Sequence, residues 1–96
     1  MYEFEISSKL KRILKKLVKK DRLKYEATLK KIDEICHSQD IEHYKNLSYS
    51  LKDFKRVHIL SHFVLIFKFD KKTGKIKFED LQHHDIIYRK KGISSS

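Results

Sequence analysis

The sequence predicts an α+β domain. An N-terminal strand leads into an antiparallel helical hairpin, packed on a mainly antiparallel, twisted sheet of four to five strands. Two observations carry this prediction. Between residues 10 and 36 apolar side chains recur every three to four positions, and after residue 40 they alternate, so the period changes from helical to extended. The alternating runs are separated by very short turns, and such turns can join only antiparallel neighbours.

Tyr2, Phe4 and Ile6 alternate with Glu3 and Glu5, the period of a strand buried on one face. Ser7 and Ser8 offer hydroxyls to the unpaired N–H groups that open a helix. Leu10, Ile13, Leu14, Leu17 and Val18 then form one apolar stripe, opposite Lys9, Lys11, Arg12, Lys15, Lys16, Lys19 and Lys20. Asp21 is a candidate cap for a second helix, whose inner stripe is Tyr25, Thr28, Leu29, Ile32, Ile35 and Cys36. Further on, Arg56, His58 and Leu60 alternate with Val57 and Ile59, and Phe63 to Phe69 is β-branched and aromatic. Ser61-His62 suits a tight turn between them. Asp70 to Gly74 reads as a second hairpin loop, with Gly74 free to adopt a left-handed conformation. Lys75 to Glu79 alternates again, and Asp85 to Arg89 is a candidate last strand.

With 96 residues, the chain is long enough for one small domain, expected over residues 1–91, with a flexible tail at 92–96. Its formal charge is +10 at pH 7, basic at both ends and acidic between residues 32 and 54. That excess argues for a polyanionic partner. No apolar run approaches the roughly 20 residues that span a bilayer. The acidic start lacks the features of a signal peptide, and a lone cysteine, Cys36, forms no internal disulfide, so a cytoplasmic location is expected. Gly74 and Gly92 are the only glycines, which excludes a glycine-rich phosphate loop and the kinases and nucleotide hydrolases that use one.

Six histidines are the unusual feature: His37, His43, His58, His62, His83 and His84. Imidazole exchanges protons near neutral pH, so clustered histidines suggest acid–base work or a metal. His58 and His62 flank a strand end and its turn, and His83-His84 precede the expected last strand; an antiparallel meander can bring these regions together. Lys45, Lys52, Arg56, Tyr88 and Arg89 accompany them. Cleaving an RNA phosphodiester needs such a set: a base for the 2′-hydroxyl, cations for the phosphorane and an acid for the leaving oxygen. A basic helix face is commonly just solvated. His37 and His43 fall where histidines often meet terminal carbonyls. Cys36 with His37 lacks a standard zinc spacing, and Cys36 lies on an apolar stripe, which disfavours it as a nucleophile.

Three segments carry a more specific likeness: His43-Tyr44-Lys45-Asn46-Leu47, Leu51 to Ile59, and Val64 to Lys68, closed by His84-Asp85-Ile86-Ile87-Tyr88. Over residues 2–89 the chain resembles the RelE/ParE toxin superfamily, and it is most similar to the YafQ-like branch. The resemblance implies a bacterial or archaeal type II toxin held inactive by an acidic, RelB-like antitoxin in a hetero-oligomer, cutting mRNA in the ribosomal A site. It implies a microbial-ribonuclease-like fold, and no metal, cofactor or membrane. His84 matches a general acid, His58 the motif histidine, and Tyr88 an aromatic that stacks on or orients the RNA. Arg56, Lys52 and Lys45 match basic positions, and Arg89, Lys90 and Phe63 complete the expected RNA-binding set. Four positions depart from the branch. His62 stands in place of an acid and is a second candidate base, Phe63 replaces Trp, Asp80 replaces an arginine, and Gln82 replaces Gly. The preferred expectation is a metal-independent endoribonuclease of reduced strength. The alternatives are a weakened toxin-like module acting with its antitoxin as a DNA-bound repressor, or a ParE-like topoisomerase inhibitor.

Overall fold

The structure is a computed structural model and describes residues 1–46 and 54–85. The chain runs β1 (Glu3–Ile6), α1 (Ser8–Lys20), α2 (Arg22–Cys36), a single 3-10 turn (Ile41–His43), β2 (Phe54–Ile59), β3 (Phe63–Asp70) and β4 (Lys75–His83). Both helices are capped as their sequences predict. Ser7 Oγ accepts from Leu10 N at 3.0 Å, and Asp21 Oδ1 accepts from Lys24 N at 3.1 Å. Asp21 also ends α1 by donating its N–H to Leu17 O, so one residue turns the chain from the first helix into the second.

The four strands form one sheet in the order β1-β4-β3-β2. β2–β3 and β3–β4 are antiparallel hairpins, as the short turns require. Leu60 and Gly74 take positive φ, 56° and 72°, in the two connections. β1 pairs with β4 in parallel, because the helical hairpin returns the chain across one face before the meander begins. The expected strand at Asp85–Arg89 is corrected at its start. His84 and Asp85 have helical backbone, and β4 itself runs on to His83; Ile86 to Arg89 lie outside the described residues.

One core joins the layers. Leu10, Leu14, Ile32, Ile35 and Cys36 from the helices meet Ile59, Leu65, Phe67, Ile76, Phe78 and Leu81 from the sheet. Thr28, also buried, satisfies its hydroxyl on Lys24 O at 2.8 Å. Phe4, at the edge, is 40% exposed, so the period-2 run of β1 is covered only in part. Strand alternation puts Val64 and Ile66, both buried, on the sheet face away from the helices.

A β-bulge decides what else reaches that face. Ile66 pairs with Asp80 but Phe67 pairs with Phe78, leaving Glu79 as the extra residue. The bulge shifts the alternation of β4. Phe78 and Leu81 therefore both enter the core, and Asp80 and Gln82 turn to the opposite face. Ser7 fixes the irregularity, with its N–H donating to Phe78 O at 2.9 Å and its Oγ donating to Glu79 O at 2.7 Å.

Candidate active site

Directly paired residues of an antiparallel sheet share a face, so the register writes out two rows away from the helices. The first is Arg56–Ile66–Asp80 and the second His58–Val64–Gln82. His84 follows Gln82 by two residues, and its ring lies stacked on that of His58 with centroids 5.3 Å apart. The backbone fixes this contact, since His84 N donates to His62 O at 2.7 Å across the strand ends. Lys45 flanks the same rows at the sheet edge, where its carbonyl accepts from Arg56 N at 2.9 Å. Arg56 and His58 of β2 thus meet His84, distant in sequence, at one end of one sheet face.

Electrostatics bears on the His58 imidazole. Burial pushes the His58 pKa below its ordinary value, and the neighbouring His84 and then Arg56 push it in the same direction. These influences favour the neutral ring at His58. His84 Nδ1 lies 3.6 Å from Asp85 Oδ1, an ion pair whenever that ring is protonated.

His62 and Phe63 are placed elsewhere. Phe63 pairs with His83 in the row that faces the helices, its ring edge-on to His83 at 5.3 Å and under Lys24 Nζ at 3.4 Å. The His62 ring stacks on His83, parallel to within 1° and 5.9 Å away. Two histidine pairs thus stand at one end of the sheet, and only His58–His84 shares the face of Arg56. Lys52, Tyr88, Arg89 and Lys90 lie outside the described residues. Among the described residues, no group of three or more His, Cys, Asp or Glu could hold a metal ion. Cys36 is buried, and that burial, with Asp33 nearby, pushes its thiol up to about 11, far from a reactive thiolate.

Two residues with structural consequences were not singled out from the sequence. Lys55 is buried on the helix side of β2, where its Nζ donates to Asn46 Oδ1 at 3.0 Å and Tyr44 O at 3.3 Å and lies 3.4 Å from Glu42 Oε1. It pins the segment that carries Lys45. Lys9 reaches Asp80 from α1, with its Nζ 2.9 Å from Oδ2. Neither a lysine in a strand nor one in a basic helix gives a local sequence signal of such a contact.

Comparison with known proteins agrees with this architecture. No protein-family model matches the chain. A curated relative from Methanocaldococcus jannaschii, named "Putative toxin RelE4", is 52% identical over 93 residues, spanning 97% of each chain. Two solved structures share the fold. YafQ from Escherichia coli superposes with a TM-score of 0.61 at 18% identity, over 92% of this chain and 99% of that one. A mutant of the E. coli RelE toxin in complex with an antitoxin RelBc peptide gives 0.63 at 16% identity, over 99% and 97%. No described helix is long and apolar enough to cross a membrane.

Proposed function

The chain belongs to the RelE family of toxins, and from that membership we propose that it is a ribosome-dependent endoribonuclease, cleaving mRNA in the A site and stopping translation. The observation that carries the reading is the His58–His84 pair, 5.3 Å apart and in line with Arg56 on one sheet face. His58 takes the proton of the 2′-hydroxyl. The freed oxygen attacks phosphorus, the P–O5′ bond breaks, and His84 returns a proton to the leaving 5′-oxygen, giving a 2′,3′-cyclic phosphate and a 5′-hydroxyl. Arg56 and Lys45 offset the charge that builds on the non-bridging oxygens. The ribosome contributes the alignment of the 2′-oxygen, which for well-oriented reactants is worth several kcal/mol.

A charge of +10 supports an acidic antitoxin as the partner that holds the protein inactive, and a RelE relative has been solved with a RelB peptide. A second reading, a catalytically weakened module working with its antitoxin on DNA, draws support from the Asp80 carboxylate beside the rows. Primer extension on translated mRNA after induction separates the two. Cuts within A-site codons, lost in His84→Ala while the variant stays soluble, are expected of the nuclease. Unbroken mRNA during growth arrest would retire the cleavage reading.

A further inference from the structure

An RNA strand lying across this face meets cations beside β2, but at β4 it meets the carboxylate of Asp80. We propose that Lys9, in the first turn of α1, is a phosphate-contacting residue of the same site and that Asp80 is the positioning residue that holds it there. The proposal rests on the ribonuclease reading, and it names the path of the substrate: across the strands, from Lys45 and Arg56 at β2 to Lys9 over β4.

The geometry comes from the bulge. Ser7 binds Phe78 O and Glu79 O through its N–H and Oγ, so α1 begins directly on the irregular turn of β4. Two residues later Lys9 Nζ sits 2.9 Å from Asp80 Oδ2. The carboxylate is held from two further sides: Leu81 N donates to Oδ1 at 2.8 Å, and Gln82 Nε2 donates to Oδ2. Asp80 is therefore fixed and almost buried, whereas the Lys9 side chain remains 55% exposed. An ammonium group has three donors, and its one bond among the described residues, to Asp80, leaves others for a phosphate.

Two further observations separate this pair from an incidental surface contact. A lysine in the first turn opposes the helix dipole, and α1 has no acidic residue there, so helix stability does not explain Lys9. Gln82 gives its amide N–H to Asp80 and leaves its own Oε1 buried with no hydrogen-bond partner among the described residues. Unpartnered buried oxygens are uncommon, and this one is spent on fixing the orientation of Asp80. Strands about 4.8 Å apart put Asp80 about 10 Å from Arg56, with Ile66 between them. Lys9 thus stands at the place where a second phosphate of the same strand would pass. The carboxylate at position 80 delivers a cation from another element and does not simply repel the substrate.

The test measures binding of a short single-stranded RNA with 2′-O-methyl riboses, which cannot be cleaved, as a function of salt, alongside cleavage on translating ribosomes. Lys9→Met is expected to lower the slope of log affinity against log salt by about 0.7, one phosphate contact on a single strand, and Lys9→Arg to restore it. Asp80→Asn is expected to weaken binding, and Lys9→Met to have no further effect in that background. An unchanged slope in Lys9→Met, tighter binding in Asp80→Asn, or no binding by the native protein each overturns the proposal. Circular dichroism of each variant excludes loss of fold as the cause. A native protein that binds with the expected slope but leaves translated mRNA intact sinks the nuclease reading alone.

Discussion

His58 is where a single side chain's environment sets the chemistry. Burial, His84 and Arg56 all disfavour its cationic form, so it titrates below the ordinary histidine value near 6.5. Two consequences follow with a definite sign. In the proposed mechanism His58 must be neutral to act as base, so the acid limb of a cleavage–pH profile should fall below about pH 6.5. The folded state also binds a proton at His58 less readily than the unfolded chain. This contribution to stability is therefore present above about pH 6.5 and lost as pH falls through the folded value. Imidazole resonances followed by NMR should give a His58 midpoint below those of exposed histidines, and His84→Gln should move it upward by removing one of the two cationic neighbours. A His58 midpoint unmoved by His84→Gln would mean the stacked rings do not interact electrostatically. By contrast Asp80, which stands where the resembled branch has an arginine, has Lys9 at 2.9 Å, a pairing between residues 71 positions apart that no local pattern announces.

Among the elements, the helical hairpin and the two β-hairpins were legible because their signals are local. Caps at Ser7 and Asp21, an apolar stripe of fixed period and a left-handed Gly74 each act within a few residues. The parallel β1–β4 pair and the bulge at Glu79 were not, because both arise from packing between segments more than 70 residues apart. The candidate site was legible to the same degree. His58, His84 and Arg56 were identifiable as residue types that perform RNA cleavage. The separation of His62 and Phe63 from them depends on which face each strand position takes. Ser7 ties these levels together, capping α1 and bonding the bulge carbonyl with one hydroxyl. Ser7→Ala should therefore lose more than an ordinary cap, about 1–3 kcal/mol by urea unfolding, from the cap and the Glu79 bond together. It should also depress cleavage, because the bulge aims Asp80 and Gln82. A loss below about 0.5 kcal/mol would show that the bulge stands without Ser7. Phe78→Ala, in the core beneath the same turn, should cost about 3–5 kcal/mol, with the protein unfolding at markedly lower denaturant.

At the scale of the whole molecule, charge is arranged on two sides. The helices cover one sheet face and present Lys11, Lys15, Lys16, Lys19 and Lys20 to solvent, exposed and with no ion pair to an acidic side chain among the described residues. The other face carries Arg56 and the histidine pair. Where β1 pairs with β4 on that face, Glu5 meets Lys75 at 2.8 Å and Lys77 at 3.7 Å, so these lysines are largely balanced. Among the described residues, much of the unbalanced positive charge therefore lies on α1 beyond its first turn, on the side of the sheet opposite the histidine pair. A surface of this kind attracts an acidic partner from a distance without determining how tightly it is finally held. Raising salt from 0.05 to 0.5 M should accordingly slow association with an acidic antitoxin at least tenfold in stopped-flow measurements, and change dissociation far less. Reversing Lys15 and Lys19 to Glu should reproduce part of that slowing at low salt. Stability should stay within about 0.5 kcal/mol per site, because both side chains are exposed. An association rate indifferent to both salt and charge reversal would mean that the antitoxin docks through apolar contacts, and that the lysine face of α1 serves another polyanion.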